Sequence, residues 1–389
     1  MSNLFICRFN LVVSALLLVG CLVVAGRVSA IETIAREAIM IDMDTGDVIL
    51  SKEADKRMPP ASMSKLMTLY ILFERLKDGS LSLDDTLRVS ADAWRRGGAK
   101  SGSSTMFLLP KKRVKISDLI PGIIVQSGND ACIVVAEGLA GSEAEFAEEM
   151  TEKALSIGMT RSTFRNSTGW PHPEHLTTAR DLATLAKRTI IDFPQYYHYY
   201  KQLKFTYNGI KQHNRNPLLY KDMGADGLKT GHTQVAGYGL TSSAVRGGRR
   251  LILVVNGLLS KKARSTEPER LLEWGFREFN NYALFEKGTE VETANVWLGK
   301  ASTVPLIIEQ DVKITLARKS RDKMKVTVSF KGPIPAPIKK GDKIAVLKIT
   351  APGRKPMEIL LSAGADVERL GLIGRLGAAL SSILWGHAG

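Results

Sequence analysis

The chain has 389 residues, 44% of them hydrophobic, and carries 54 Lys and Arg against 39 Asp and Glu, a net charge of +15. That length allows a large buried core and predicts two folded domains, and no internal repeat or low-complexity tract is present. The basic balance suits nucleic acid in principle, but no zinc-ligand pattern, helix-turn-helix signature or basic-aromatic stripe accompanies it, so the expected partners are an anionic membrane surface and anionic polymer and not nucleic acid.

In chain order, Arg8 precedes an apolar run from Leu11 to Ala25, and Val28-Ser29-Ala30 offers small residues for cleavage after Ala30, so residues 1–30 read as a secretory signal peptide. Two alternatives stay open: an uncleaved segment would be an anchor, and Leu18-Val19-Gly20-Cys21 resembles a lipobox that would make Cys21 a lipidated N-terminus. Cleavage removes Arg8 and Arg27 and no acids, leaving +13, and removes Cys7 and Cys21, so Cys132 alone remains and no internal disulfide can form. Glu37 to Leu50, with Asp44-Thr45-Gly46-Asp47 at its centre, reads as a hairpin.

Next comes Ser62-Met63-Ser64-Lys65, entered through Pro59 and Pro60 and followed by a helix that is apolar on most sides, from Leu66 to Leu76, with a stop at Gly79. Residues three apart share a helix face, so the Lys65 amine can reach the Ser62 hydroxyl. A lysine takes a serine's proton only if burial or a neighbouring cation favours its neutral form, and Lys229 is a candidate neighbour. Taken alone, the string also fits a capping serine beside a solvated lysine. Ser127-Gly128-Asn129 lies between the apolar stretches Leu119–Val125 and Ala131–Leu139, and it reads either as a capped loop or as a proton-relaying serine with an amide that holds substrate. Cys132, three residues on, reads as a buried structural thiol. Lys229-Thr230-Gly231 falls on a strand leading to a hairpin around Gly247-Gly248, where glycine permits close approach of an extended peptide and Lys229 and Thr230 could face its carboxylate. Lysine and threonine also protect an ordinary exposed edge.

Helices and loops are expected up to about Pro217, with Ser142 and Glu145 as a capping box, and Pro268 to Phe279 as a closing helix. From about Leu284 the texture changes to short β-rich runs: Val291–Leu298, Leu306–Ala317, Lys325–Phe330 and Lys343–Thr350. From Val367, residues Leu370, Leu372, Ile373, Leu376, Leu380, Ile383 and Leu384 fall on one side of a helix, which predicts an amphipathic segment lying in a membrane interface. Arg369 and three glycines interrupt the stripe, and a tail packed on the β-rich domain is the alternative. The predicted division is 1–30 signal peptide, 31–282 catalytic domain, 283–363 small β-rich domain and 366–387 amphipathic helix.

Taken together, the three strings, with Thr178-Ala179-Arg180-Asp181-Leu182, His213-Asn214-Arg215-Asn216 and Asp226-Gly227-Leu228-Lys229-Thr230-Gly231-His232-Thr233, make the chain from about Ile31 to Ala363 resemble a serine-type D-alanyl-D-alanine carboxypeptidase of peptidase family S11, a low-molecular-mass penicillin-binding protein. The resemblance implies an α+β, β-lactamase/transpeptidase-like domain, with an antiparallel sheet flanked by helices and a helical insert. A small all-β domain and a C-terminal amphipathic helix would follow. It implies Ser62 as nucleophile, Lys65 as base and Ser127 in the proton relay. Asn129, Lys229, Thr230, Gly231, His232 and Arg215 would bind substrate, and the backbone N–H groups of Ser62 and His232 would form an oxyanion hole. No metal or organic cofactor is implied. Expected partners are peptidoglycan stem peptides, β-lactam antibiotics and, through the C-terminal helix, the periplasmic side of an inner membrane. Alternatives are an endopeptidase cutting peptidoglycan cross-links, a β-lactamase, against which stands the lack of a Glu-x-x-x-Asn string between the second and third motifs, and a non-enzymatic cell-wall scaffold.

Overall fold

The computed structural model describes residues 31–377; the predicted signal peptide, Cys21 and the last part of the C-terminal stripe lie outside the described residues. The chain first forms the hairpin β1 (Glu37–Asp42) and β2 (Val48–Lys52), then α1 (Lys65–Lys77), β3 (Thr86–Arg88), β4 (Arg113–Lys115), α2 (Ile116–Ile124), α3 (Asn129–Ala140), α4 (Glu143–Ser156) and α5 (Ala179–Asp192). There follow β5 (Lys204–Tyr207), β6 (Ile210–His213), β7 (Ala225–Thr233), β8 (Gly237–Arg246), β9 (Arg249–Leu258) and α6 (Lys261–Glu278).

Five strands make one antiparallel sheet in the order β2-β1-β9-β8-β7, which leaves β7 at an edge. β1 and β9 are buried on both faces because alternate side chains enter different cores. Ile39, Ile41, Ile252 and Val254 join the helical layer built around α1, whereas Met40, Leu251, Leu253 and Val255 meet Leu271 and Leu272 of α6 on the other side. Helix α1 is enclosed over most of its circumference, as its apolar sequence predicts. The Ser142 Oγ accepts the N–H of Glu145 and caps α4.

Several boundaries differ from the sequence expectation. The closing helix begins at Lys261, not Pro268, because Ser260 caps it through the N–H of Ala263, and Pro268 sits inside the helix. The stretch read as helices and loops contains two short antiparallel pairs, β3 with β4 and β5 with β6, whose strands of three or four residues are too short for alternation such as Lys204-Phe205-Thr206-Tyr207 to stand out.

The second domain starts at Phe279, four residues before the expected 283, with β10 (Phe279–Phe285) paired to β13 (Val312–Ala317). β11 (Glu290–Trp297), β12 (Thr303–Ile307), β14 (Lys325–Ser329), β15 (Ile334–Pro335), β16 (Lys343–Thr350) and β17 (Met357–Ala363) form a six-stranded sheet in the order β14-β16-β17-β12-β11-β15. The run Leu306–Ala317 is two strands because Glu309, Gln310 and Asp311 break it. Residues 366–370, assigned above to the amphipathic helix, belong to this domain. Val367 is buried in its core and bridges Ile338, Arg369 bridges Gly299, and the Leu370 N–H donates to the Leu298 carbonyl. Helix appears only from Leu372 to Gly377 among the described residues.

Candidate active site

Pro60, Ala61 and the edge strand β7 meet at the nucleophile candidate. Ala61–Ser64 form one 3-10 turn leading into α1, so Ser62 precedes the α-helix proper. Gly231 lies against that turn: a Cβ there would stand 2.8 Å from the Pro60 carbonyl oxygen, so only glycine lets β7 come so near. Ser62 shares a cleft of about 520 Å³ with Ser127, Arg215, Thr230, Gly231 and His232.

Beneath it lie Lys65, Asn129 and Lys229, all buried. The Lys65 Nζ donates to Ser62 Oγ at 3.0 Å, Asn129 Oδ1 at 2.7 Å and the Thr168 carbonyl at 2.5 Å. Three acceptors match three ammonium hydrogens. Two of them, an amide oxygen and a backbone carbonyl, can only accept. When Lys65 loses one proton, its remaining two hydrogens satisfy those oxygens and its lone pair faces Ser62, the one partner able to donate. Burial is the main force that pushes the Lys65 pKa down, to about 8, and Arg215 adds to it.

Lys229 donates to Ser127 Oγ at 3.0 Å and to the Thr230 carbonyl at 3.2 Å. Burial first, and the positive charge of Lys65 second, hold its pKa well below the ordinary lysine value. Ser127 adopts a left-handed φ of 62° between α2 and α3, a strained backbone position for a residue other than glycine. Cys132 is free and buried, and burial raises its thiol pKa to about 12, so it is no nucleophile at neutral pH.

The far end of the cleft is cationic. Arg215 donates to Ser104 Oγ at 2.6 Å, and its loop is tied to β7 by the Asn216 amide, which donates to the Gly227 carbonyl at 2.8 Å. Lys261, Arg264, Tyr238 and Ser104 also line the cleft. The Arg264 guanidinium lies 5.3 Å from the centre of the Tyr238 ring, which stacks on His232 at 3.9 Å. No acidic residue lines this space, so it suits an anion. Ser104 is held by the Asn129 N–H, which donates to its carbonyl at 2.7 Å, and by Asp130, which receives Thr105 Oγ1 and the N–H groups of Met106 and Leu108.

All nine residues singled out from the sequence thus converge, six on the cleft wall and three under it. Sequence reasoning missed Lys261 and Arg264, which sit in the first turn of α6; the Ser260 cap was the available signal. Tyr238, Ser104 and the Thr168 carbonyl carried no signal, since the β7–β8 register sets Tyr238 opposite His232 and loop packing brings in the other two.

A serine with a buried lysine of lowered pKa three residues on, a second serine–lysine pair and a cationic pocket form a site suited to acyl transfer from a substrate that carries an anionic group. The profile of the family described as D-alanyl-D-alanine carboxypeptidase matches residues 25–259. The chain belongs to that family. A second profile, the C-terminal domain of penicillin-binding protein 5, matches residues 279–369, which agrees with a β domain that begins at Phe279. The D-alanyl-D-alanine carboxypeptidase DacC of Escherichia coli is 38% identical over 345 residues, 88% of this chain and 86% of that protein. The crystal structure of penicillin-binding protein 5 from Haemophilus influenzae superposes with a TM-score of 0.77 at 33% identity, covering 88% of this chain and 100% of that one. Penicillin-binding protein D2 from Listeria monocytogenes, solved in its ampicillin-bound form, gives a TM-score of 0.55 at 30% identity over 63% of this chain and 98% of its own.

Proposed function

We propose that this carboxypeptidase removes the terminal D-alanine from peptidoglycan stem pentapeptides through an acyl-enzyme on Ser62, and that β-lactams acylate the same hydroxyl. The observation that carries this reading is the clamp on Lys65, whose two obligate acceptors leave its lone pair for Ser62. Lys65 takes the hydroxyl proton as Ser62 Oγ attacks the carbonyl between the two D-alanines. The backbone N–H groups of Ser62 and His232 receive the developing oxyanion, where preorganised donors lower the barrier by several kcal/mol. As the C–N bond breaks, Ser127, held by Lys229, gives its proton to the departing amine of D-alanine and takes in exchange the proton that Lys65 removed from Ser62, so both groups return to their starting states. Arg215 and Thr230 hold the terminal carboxylate. Asn129, its Oδ1 committed to Lys65, offers its amide N–H groups to the peptide. Water then cleaves the Ser62 ester, releasing the tetrapeptide and restoring the hydroxyl.

The test uses the purified full chain and its Ser62→Ala variant with a pentapeptide ending in D-alanyl-D-alanine and with labelled penicillin. Released D-alanine and a covalent adduct, both lost in Ser62→Ala, are expected. An adduct without D-alanine would redirect the activity to cross-link cleavage, and neither signal from folded protein would end the serine-enzyme reading.

Export by residues 1–30 and attachment to the periplasmic face of an inner membrane by the C-terminal segment are part of the same proposal. They are supported by the apolar run before Val28-Ser29-Ala30 and by the exposure of Leu372, Ile373 and Leu376 on a helical segment. No helix among the described residues is long and apolar enough to cross a membrane, which fits a segment lying in the interface. Truncation after Leu370, which spares the β domain, should move the protein from sedimenting membranes to the soluble fraction; unchanged sedimentation would refute the anchor.

A further inference from the structure

Ser64, between nucleophile and base in the chain, and His175, on the loop before α5, are both buried, and neither has a part in the scheme above. The His175 Nδ1 accepts the backbone N–H of Arg165 at 3.2 Å. Its neutral ring therefore carries the proton on Nε2, which stands 2.8 Å from Ser64 Oγ. Burial pushes the His175 pKa down to about 4, so the ring stays neutral near pH 7 and keeps this tautomer. With a donor on one side, Ser64 must spend its own proton on the other, and it lies 3.0 Å from the Ala61 carbonyl oxygen, which can only accept. The direction of the whole chain is thereby set: His175 to Ser64 to Ala61.

The Ala61 carbonyl belongs to the same peptide group as the Ser62 N–H. That bond is not among the cis peptides, so its C=O and N–H point in opposite directions. Holding the oxygen aims the N–H. A hydrogen bond received at the oxygen also draws charge through the amide and strengthens the N–H as a donor. Two further features suit a part whose orientation matters. Ala61 is held at a left-handed φ of 50°, and Gly169 backs its oxygen so closely that a Cβ there would lie 1.9 Å from it.

We propose that His175 and Ser64 are positioning residues, a buried hydrogen-bond relay that orients and polarises the Ala61–Ser62 peptide so that the Ser62 N–H serves as an oxyanion donor. This rests on the reading that Ser62 is acylated and that its N–H faces the oxyanion.

The experiment uses the purified full chain with a penicillin carrying a ¹³C label in its lactam carbonyl. It measures the acylation rate, the concentration that half-saturates it, and the infrared band of the resulting ester carbonyl, whose frequency falls as the oxyanion donors tighten. Ser64→Ala and His175→Leu should slow acylation about 10- to 100-fold, less than the ~10²–10³ that follows loss of a whole oxyanion donor. The half-saturating concentration should stay unchanged and the ester band should move to higher frequency. His175→Gln, whose amide can accept from Arg165 and donate to Ser64, should bring rate and band back toward wild type. If Ser64→Ala does not fold, the two His175 variants carry the test. Slowed acylation with an unmoved band would reduce the pair to packing, and rates within about twofold of wild type would overturn the relay. A wild-type protein that forms no adduct would instead bring down the serine-enzyme reading beneath it.

Discussion

Around α1 the catalytic domain encloses two lysines, a histidine and Asp130, while between β12, β16 and β17 the second domain encloses Val304, Leu306, Leu347, Ile349 and Leu361. Its buried polar side chains are hydroxyls: Thr315, Ser320 and Ser362. A buried charge costs stability unless it is paired: in the catalytic domain Asp42 with Arg249 is held in such a pair, whereas the two lysines are buried without a carboxylate partner, at the site. The contrast separates a domain that buries charged groups, the unpaired lysines of its site among them, from one whose core is apolar with a few hydroxyls. The two are joined by the β1–β2 turn. Asp42, fixed within its own domain by Arg249 Nε at 2.6 Å, receives Asn281 Nδ2 at 3.0 Å across the joint, while Asp47 receives the Thr315 N–H at 2.8 Å and the Arg354 guanidinium.

The sharpest way to break this contrast is Lys65→Met. Penicillin acylation should fall by on the order of a thousandfold or more, since the proposed general base is gone, while stability should stay within about 1–3 kcal/mol of wild type, because the relief of removing a buried amine offsets the loss of the donor to Asn129 Oδ1 and the Thr168 carbonyl. A variant that loses stability along with activity would make Lys65 a structural ion after all.

In the β domain the expected signs reverse. Leu347→Ala, at a fully buried site, should cost about 2–5 kcal/mol of that domain's stability through the cavity it leaves. Acylation should change by less than about twofold. Calorimetry beside adduct kinetics reads both, and a parallel loss of acylation would show that the second domain supports the site.

In the proposed scheme Lys65 acts in its neutral form, so acylation should rise with pH. Its pKa is depressed to about 8, so the rate climbs about tenfold per pH unit below that value and levels above it. A profile flat across this range would remove Lys65 as the base.

At the joint, Asp47→Ala and Arg354→Ala should each lower stability by about 1–3 kcal/mol, less than additively when combined, because they share one interaction. Fully additive losses would mean that the pair does not couple the domains.

The last effect shows only in acid. The His175 pKa falls from 6.5 unfolded to about 4 folded, so its contribution to stability is complete above 6.5 and is lost as pH drops through that window toward 4. His175→Gln should flatten the stability curve there, as denaturant titrations at several pH values would show.

Local rules made much of this protein legible. Prolines, an apolar run and Gly79 marked α1, and spacing alone put Lys65 within reach of Ser62, because residues three apart share a helix face. Alternation and turn residues marked most strands of the β domain. β10, β15 and β17 escaped because β10 continues directly from α6 without a turn, β15 is two residues long and β17 follows a loop of Pro, Gly, Arg and Lys. The Val367 stripe misled for a related reason: a strand-end residue filling a β core and a helix residue facing a membrane are equally apolar.

Other features were decided only in three dimensions. The depression of the Lys65 pKa, the Thr168 carbonyl that completes its clamp, the cationic wall of Arg215, Lys261 and Arg264, and the His175–Ser64 relay join positions between roughly 50 and 200 residues apart. Residue types and local spacing specify which groups are available and which lie on one helix face. Burial and hydrogen-bond direction depend on what the rest of the chain packs against them, and those two quantities give a lysine its proton affinity and a peptide N–H its aim.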